Sequence, residues 1–192
     1  MGKTLLLTGH PQCGKTTIIR KITSELGIQV GGFFTEEIFG PGGRQGFKLF
    51  TLEGRQATLA HKDLRGDKIP RVGRYGVDLD VLEQLGIPAL QAAAAAGKVV
   101  IVDEIGKMEL LSPRFRDTVL QLILGPALII GTIVYKPQPQ ADLFKQLAQV
   151  TLWEVNQRNR DLLPQMALEW LAGQTKQGRT RLEPGARPVS GA

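Results

Sequence analysis

Cysteine is almost absent from this 192-residue chain, and Cys13 is the only one. A lone cysteine excludes an intramolecular disulfide and any zinc site built from several thiolates. The two histidines, His10 and His61, have no partner spacing that suits a metal. No uncharged apolar stretch is long enough to span a bilayer, so no membrane partner is expected. The N-terminus shows no leader pattern either, because an apolar strand enters a glycine loop directly. A cytoplasmic location is the expectation.

What remains is an ordinary globular composition, 42% hydrophobic and 22% charged. The length suits one domain with room for a small insertion. Residues 1–172 read as that domain. Residues 173–192 lack periodicity and read as a disordered basic tail. There Lys176, Arg179, Arg181 and Arg187 against Glu183 supply half of the net charge of +6. A nucleic-acid partner is therefore an open expectation.

Gly9-His10-Pro11-Gln12-Cys13-Gly14-Lys15-Thr16 fits the G-x-x-x-x-G-K-[ST] phosphate loop. The glycines let backbone N–H groups turn inward on the α- and β-phosphates. Lys15 reaches the β- and γ-phosphates as a point charge, and Thr16 supplies a hydroxyl for Mg²⁺. Context supports the match. Thr4-Leu5-Leu6-Leu7-Thr8 reads as a buried strand, and Ile18, Ile19, Ile22 and Leu26 mark a helix ending near Gly27. Cys13 lies among the cradling amides, where its oxidation would block the nucleotide; as a small side chain it also simply fills the loop.

Further along, residues 28–37, 46–52 and 56–60 read as closely spaced strands forming an antiparallel meander. Residues 61–76 read as a polar surface loop. Asp78 or Asp80 caps a helix through Leu82, Leu85 and Leu90 to Gly97. Pro113 starts another, with Leu120, Ile123 and Leu124 on one face. Residues 99–102, 127–131 and 150–155 read as buried strands, 141–147 as a helix, and 159–171 as the last helix. Alternating strands and helices predict an α/β fold with a mostly parallel sheet covered on both faces. Its ligand belongs outside the carboxyl ends of the strands.

Val99-Val100-Ile101-Val102 ends at such a place in Asp103-Glu104. Asp103 suits a metal-anchoring carboxylate, and Glu104 can orient and deprotonate an attacking water. A carboxylate beside the metal-binding Asp favours transfer to water over transfer to a second nucleotide. Asp103-Glu104-Ile105-Gly106 also fits the D-x-x-G of switch GTPases. However, Asn156-Gln157-Arg158-Asn159 stands where those proteins place a guanine-reading Asn-Lys-x-Asp.

Together these stretches resemble the nucleoside-triphosphatase family that includes the human cancer-related nucleoside triphosphatase and its thermophile homologues. Carrying the resemblance are the phosphate loop with Thr16-Thr17, Gly32 to Glu37, Arg71 to Tyr75, Val102 to Leu110, Gly131-Thr132-Ile133, and Asn159-Arg160 with Leu162-Leu163-Pro164. The family usually reads Pro-Pro-Gly where this chain has His10-Pro11-Gln12. The resemblance implies a P-loop NTPase of the RecA-like, three-layer kind, in which the strand ending at Thr132 lies between the two motif strands. It also implies Mg²⁺-dependent hydrolysis of ATP, GTP, CTP and UTP with loose base selectivity, and Glu104 facing the water at the γ-phosphate. Thr17 joins the nucleotide-binding stretch.

Other residues take candidate roles. Lys107 can reach transition-state charge. Thr132, polar at the end of an apolar strand, suits a sensor of the γ-phosphate or of the water. Arg158 or Arg160 can stack on a base. Arg71 and Arg74 either close over the phosphates or form a solvated basic face. A monomer is expected. Two rivals stay open: a nucleotide or small-molecule kinase, and an ATPase stimulated by nucleic acid.

Overall fold

Five consecutive buried residues, Thr4–Thr8, form β1, which lies one strand in from the edge of a nine-stranded sheet. The computed structural model describes residues 3–180, and side chains from 3 to 174. After β1 and the loop 9–14 comes α1 (Lys15–Leu26). Then follow β2 (Val30–Gly40), β3 (Gly43–Thr51), β4 (Gln56–His61) and the short strands β5 (Arg71–Val72) and β6 (Tyr75–Val77). A helical stretch opens with α2 (Leu79–Val81), continues as a π-helical segment (Leu82–Gly86) and closes as α3 (Ile87–Ala95). Asp78 caps it, accepting from Asp80 N and Val81 N. The second half alternates: β7 (Val99–Ile105), α4 (Pro113–Leu124), β8 (Ile129–Ile133), α5 (Pro139–Lys145), β9 (Val150–Glu154) and α6 (Leu163–Thr180).

The sheet order is β5-β6-β4-β3-β2-β7-β8-β1-β9. From β2 to β9 every neighbour is parallel, and β8 lies between β1 and β7, as the resemblance implies. From β2 to β5 every neighbour is antiparallel, which is the expected meander. Period-2 alternation splits the core between two faces. Leu5 and Leu7 pack with Ile18, Ile19 and Ile22 of α1 and with Leu163, Ala167 and Leu171 of α6. Leu6 faces the other way, into the cluster of Phe33, Leu82, Leu90, Phe115 and Phe144. The fold is a three-layer α/β sandwich.

Four expectations are corrected. Residues 71–77 form a hairpin instead of a surface loop, with Tyr75, Gly76 and Val77 buried. Polar residues close it: Arg74 Nε donates to Tyr75 Oη at 3.1 Å and Arg74 Nη2 to Arg44 O at 2.7 Å. Leu120 and Leu124 are exposed, because α4 is anchored through Phe115, Val119 and Ile123, four apart, instead. The last helix starts at Leu163, since residues 157–162 are turns. It then continues through Thr180, beyond the expected tail boundary, with Gln174 buried within it. The rest of the expected tail, residues 181–192, lies outside the described residues.

Ser112 fastens α4 to the π-helical segment beside it. Its Oγ accepts from Phe115 N at 3.1 Å, as a helix cap, and donates to Glu83 Oε1 at 2.7 Å. Ser112→Ala removes both bonds and leaves Glu83 only Arg114, at 3.0 Å. The expected loss is about 2 kcal/mol, read as a melting point lower by roughly 4–8 °C. A shift below a degree in a thermal melt would show that water replaces both bonds.

Candidate active site

The phosphate loop is held from below by the sheet. Val155 N donates to Thr8 O at 2.7 Å, tying the end of β9 to the start of the loop. Gly9 then passes so close to Val155 O that a Cβ there would stand 2.5 Å from it, and its φ is 150°. Only glycine fits this crossing. Gln12, where the family usually has glycine, still takes the left-handed φ of 63°. The loop shape is therefore kept at the cost of backbone strain, about 1 kcal/mol. Gly14 is the N-cap of α1, so the first amides of that helix, at Lys15, Thr16 and Thr17, face the loop's concave side.

Lys15 lies back over its own loop, Nζ donating to Gly9 O at 3.0 Å and to His10 O at 3.4 Å. These are the bonds a phosphate oxygen would replace. His10 and Pro11 are exposed, and the His10 ring packs on Tyr135 with centroids 4.4 Å apart. Nothing in the sequence pattern had singled out Tyr135. Cys13 is half-buried and its N donates to His10 O at 3.2 Å, closing the turn.

Facing the loop, β7 ends in the carboxylate pair. Asp103 is 2% exposed. Its Oδ1 accepts from Thr132 Oγ1, and the Thr16 hydroxyl also favours the charged form of this carboxylate. Oδ2 is buried with no hydrogen-bond partner. Burial pushes the Asp103 carboxyl above its ordinary range, while Thr132, Thr16, Lys15 and Arg20 pull it down. Glu104 follows, also raised by burial and by Asp103, with Lys15 opposing.

Thr132 sits at the end of β8 beside Asp103, with its single hydroxyl proton committed to that carboxylate. It reaches the site through Asp103. Lys107 is exposed on the loop after β7. Arg160 packs its Cδ 3.6 Å from where a Cβ on Gly14 would stand, which places it against the phosphate loop. Arg158 is exposed on the same turn. That turn is built by two asparagines. Asn156 Oδ1 accepts from Arg158 N at 2.8 Å, and Asn159 Nδ2 donates to Glu154 O at 2.8 Å. Arg71 and Arg74 are spent on backbone carbonyls of Leu64 before the hairpin, of the hairpin itself and of β3.

Sequence reasoning missed Arg20 and left Glu36 and Glu37 without roles. Arg20 pairs with Glu36, lies 5.0 Å from the Phe34 ring centre and adds positive potential at Asp103. Glu37 pairs with Arg44. It also missed the buried Glu109.

A family model described as NTPase matches residues 4–168, which include every residue of the site described above. The chain belongs to the NTPase family. Among its relatives, nucleoside-triphosphatase THEP1 of Thermotoga petrophila is 43% identical over 83% of this chain and 87% of its own length. The human cancer-related nucleoside-triphosphatase is 38% identical over 85% of this chain and 94% of its own. The crystal structure of THEP1 from Aquifex aeolicus superposes with a TM-score of 0.79 at 36% identity, covering 88% of this chain and 98% of that one. The solution structure of the human protein gives 0.74 at 37% identity, covering 88% and 97%. These NTPase-family folds match the P-loop architecture described here. No described helix is long and apolar enough to cross a membrane.

Proposed function

We propose that this NTPase-family chain hydrolyses nucleoside triphosphates to diphosphate and phosphate in an Mg²⁺-dependent reaction, with Glu104 as the base. The observation that carries this reading is the placement of Glu104. It follows the buried Asp103 at the carboxyl end of β7, in the field of Lys15, and burial raises its proton affinity. A carboxylate so raised is a better proton acceptor near neutral pH than an exposed one.

The donor set fits a hard divalent cation: an orphaned, buried Asp103 Oδ2 and the Thr16 hydroxyl that acts on the same carboxylate, oxygen ligands only. Asp103 and Thr16 would hold Mg²⁺, which would neutralise charge on the β- and γ-oxygens. The residues do the rest. Lys15 leaves the carbonyls of Gly9 and His10 for the phosphates. Glu104 takes a proton from water as the water oxygen bonds to the γ-phosphorus. The bond from that phosphorus to the bridging oxygen breaks, and the diphosphate keeps the electron pair. Lys107 lies on the loop that follows and supplies positive charge at the rim. Thr132 holds Asp103 in register. Arg160, beside the loop, and Arg158, exposed on the same turn, offer guanidinium planes on which any base can stack, which supports loose selectivity among ATP, GTP, CTP and UTP.

The test is phosphate release from all four triphosphates, with and without Mg²⁺, and with a nucleoside monophosphate or nucleic acid added. Release from all four that needs Mg²⁺ and no acceptor is the expected result. Phosphorylated monophosphate in place of free phosphate would make the protein a kinase, and turnover only with RNA or DNA would make it a nucleic-acid-stimulated ATPase. The raised Glu104 also sets a pH dependence. Activity needs its ionised form, so kcat/KM is expected to fall on acidification with a midpoint above the ordinary value of 4.5. A midpoint at or below that value would contradict the assignment.

A further inference from the structure

Glu109 has no part in the chemistry described above, yet it is buried nearly as fully as Asp103. It opens a single 3-10 turn, Glu109–Leu111, after the loop that follows β7, and is 5% exposed. Its hydrogen-bond partner is a backbone amide: Gly106 N donates to Oε2 at 3.1 Å. Among the described residues no lysine or arginine forms an ion pair with it. The charges that act on it are those of Glu104 and Asp103, both of its own sign. Burial first, and these neighbours after it, push its carboxyl up to about 8.

Gly106 explains how the two glutamates meet. A Cβ on this glycine would stand 2.7 Å from Glu104 Oε1 and 2.8 Å from Glu109 Oε2. Both carboxyls therefore fill the space that the missing side chain leaves. Two ionised carboxylates sharing such a space repel each other, and one of them keeps a proton so that the other can ionise. The more buried member, held by the Gly106 amide, is Glu109.

We propose that Glu109 is a positioning residue for Glu104: it holds a proton in the resting protein and presents a neutral carboxyl that keeps the Glu104 carboxylate singly charged and aimed at the water. This rests on Glu104 being the base. Ionising Glu109 would place a second negative charge beside Glu104 and toward the incoming triphosphate, and would switch the site off at high pH.

The experiment compares kcat/KM from about pH 6 to about pH 10 for the native chain, Glu109→Gln, Glu109→Ala and Glu104→Gln. The native chain is expected to lose activity above about pH 8, where Glu109 ionises. Glu109→Gln keeps the shape and the bond from Gly106 N but cannot ionise. It should lower kcat by less than about tenfold and lack the alkaline fall, while Glu109→Ala loses more than about tenfold in kcat with little change in KM. A protonated-carboxyl infrared band, present in the native protein at neutral pH and absent from Glu109→Gln, reads the same proton without turnover. An alkaline fall with the same midpoint in Glu109→Gln, or no such band in the native protein, overturns the inference. Full turnover by Glu104→Gln would instead remove the base assignment beneath it.

Discussion

Replacing Glu104 with glutamine is expected to lower kcat for phosphate release by about 10²–10⁴-fold while leaving triphosphate affinity within a few-fold. Glutamine keeps the size and one oxygen of the side chain but cannot accept the proton of the attacking water. The substitution leaves the elements that bind triphosphate in place. The phosphate loop is anchored by Val155 N on Thr8 O, and Lys15 and the amides of α1 lie across the cleft on other elements. The change also removes a raised, poorly solvated carboxylate from beside Asp103, so the protein has no reason to unfold. The measurement is single-turnover phosphate release beside equilibrium binding of a labelled triphosphate. Loss of binding in parallel with loss of turnover would mean that Glu104 holds the substrate. Native turnover would mean that the water is activated elsewhere.

Much of this site was legible in the sequence, for physical reasons. The phosphate loop is local, its glycines and Lys15 fixed by a chemistry that tolerates few alternatives, and the strand and helix on either side follow from periodicity. Asp103 and Glu104 were legible because a run of four apolar residues rarely ends in two carboxylates without cause. The rest depends on tertiary contacts. Glu109 sits between Met108 and Leu110 with nothing local to show that it is buried or that Gly106 brings it to Glu104. The β5–β6 hairpin was hidden because its strands are two and three residues long and are closed by arginines on backbone carbonyls. The last helix is expected to start at Asn159, but the Asn159 side chain closes the turn after β9. Pro164, in the first turn of the actual helix, was the readable signal. The exposed Leu120 and Leu124 show the limit of reading a leucine-rich helix from one face, since Phe115 decides which face is buried.

Asp103→Asn is expected to have two effects of opposite sign. Asparagine matches the shape and can still accept from Thr132, but it lacks the negative charge that Asp103 Oδ2 offers a divalent cation. Losing several kcal/mol of charge stabilisation lowers kcat/KM on the order of 10³-fold. Stability moves the other way. The Asp103 carboxyl is raised by burial above its unfolded value, so the folded chain binds a proton there more tightly than the unfolded chain does. Such a group stabilises below its unfolded pKa and loses that contribution as pH rises through the folded one. Asparagine does not titrate and escapes the loss. Without divalent cation or nucleotide, Asp103→Asn should therefore melt above the native chain at neutral and alkaline pH, with the gap closing as pH falls. Saturating Mg²⁺ and triphosphate should reverse the order, because ligand binding stabilises only a chain that binds it well. Melting curves at two pH values, with and without Mg²⁺-nucleotide, test this. A variant that melts lower than the native chain in every condition would show that Thr16, Thr132, Lys15 and Arg20 already compensate the buried charge in full. The reversal would show that this charge destabilises the empty protein and is kept for the ligand it holds.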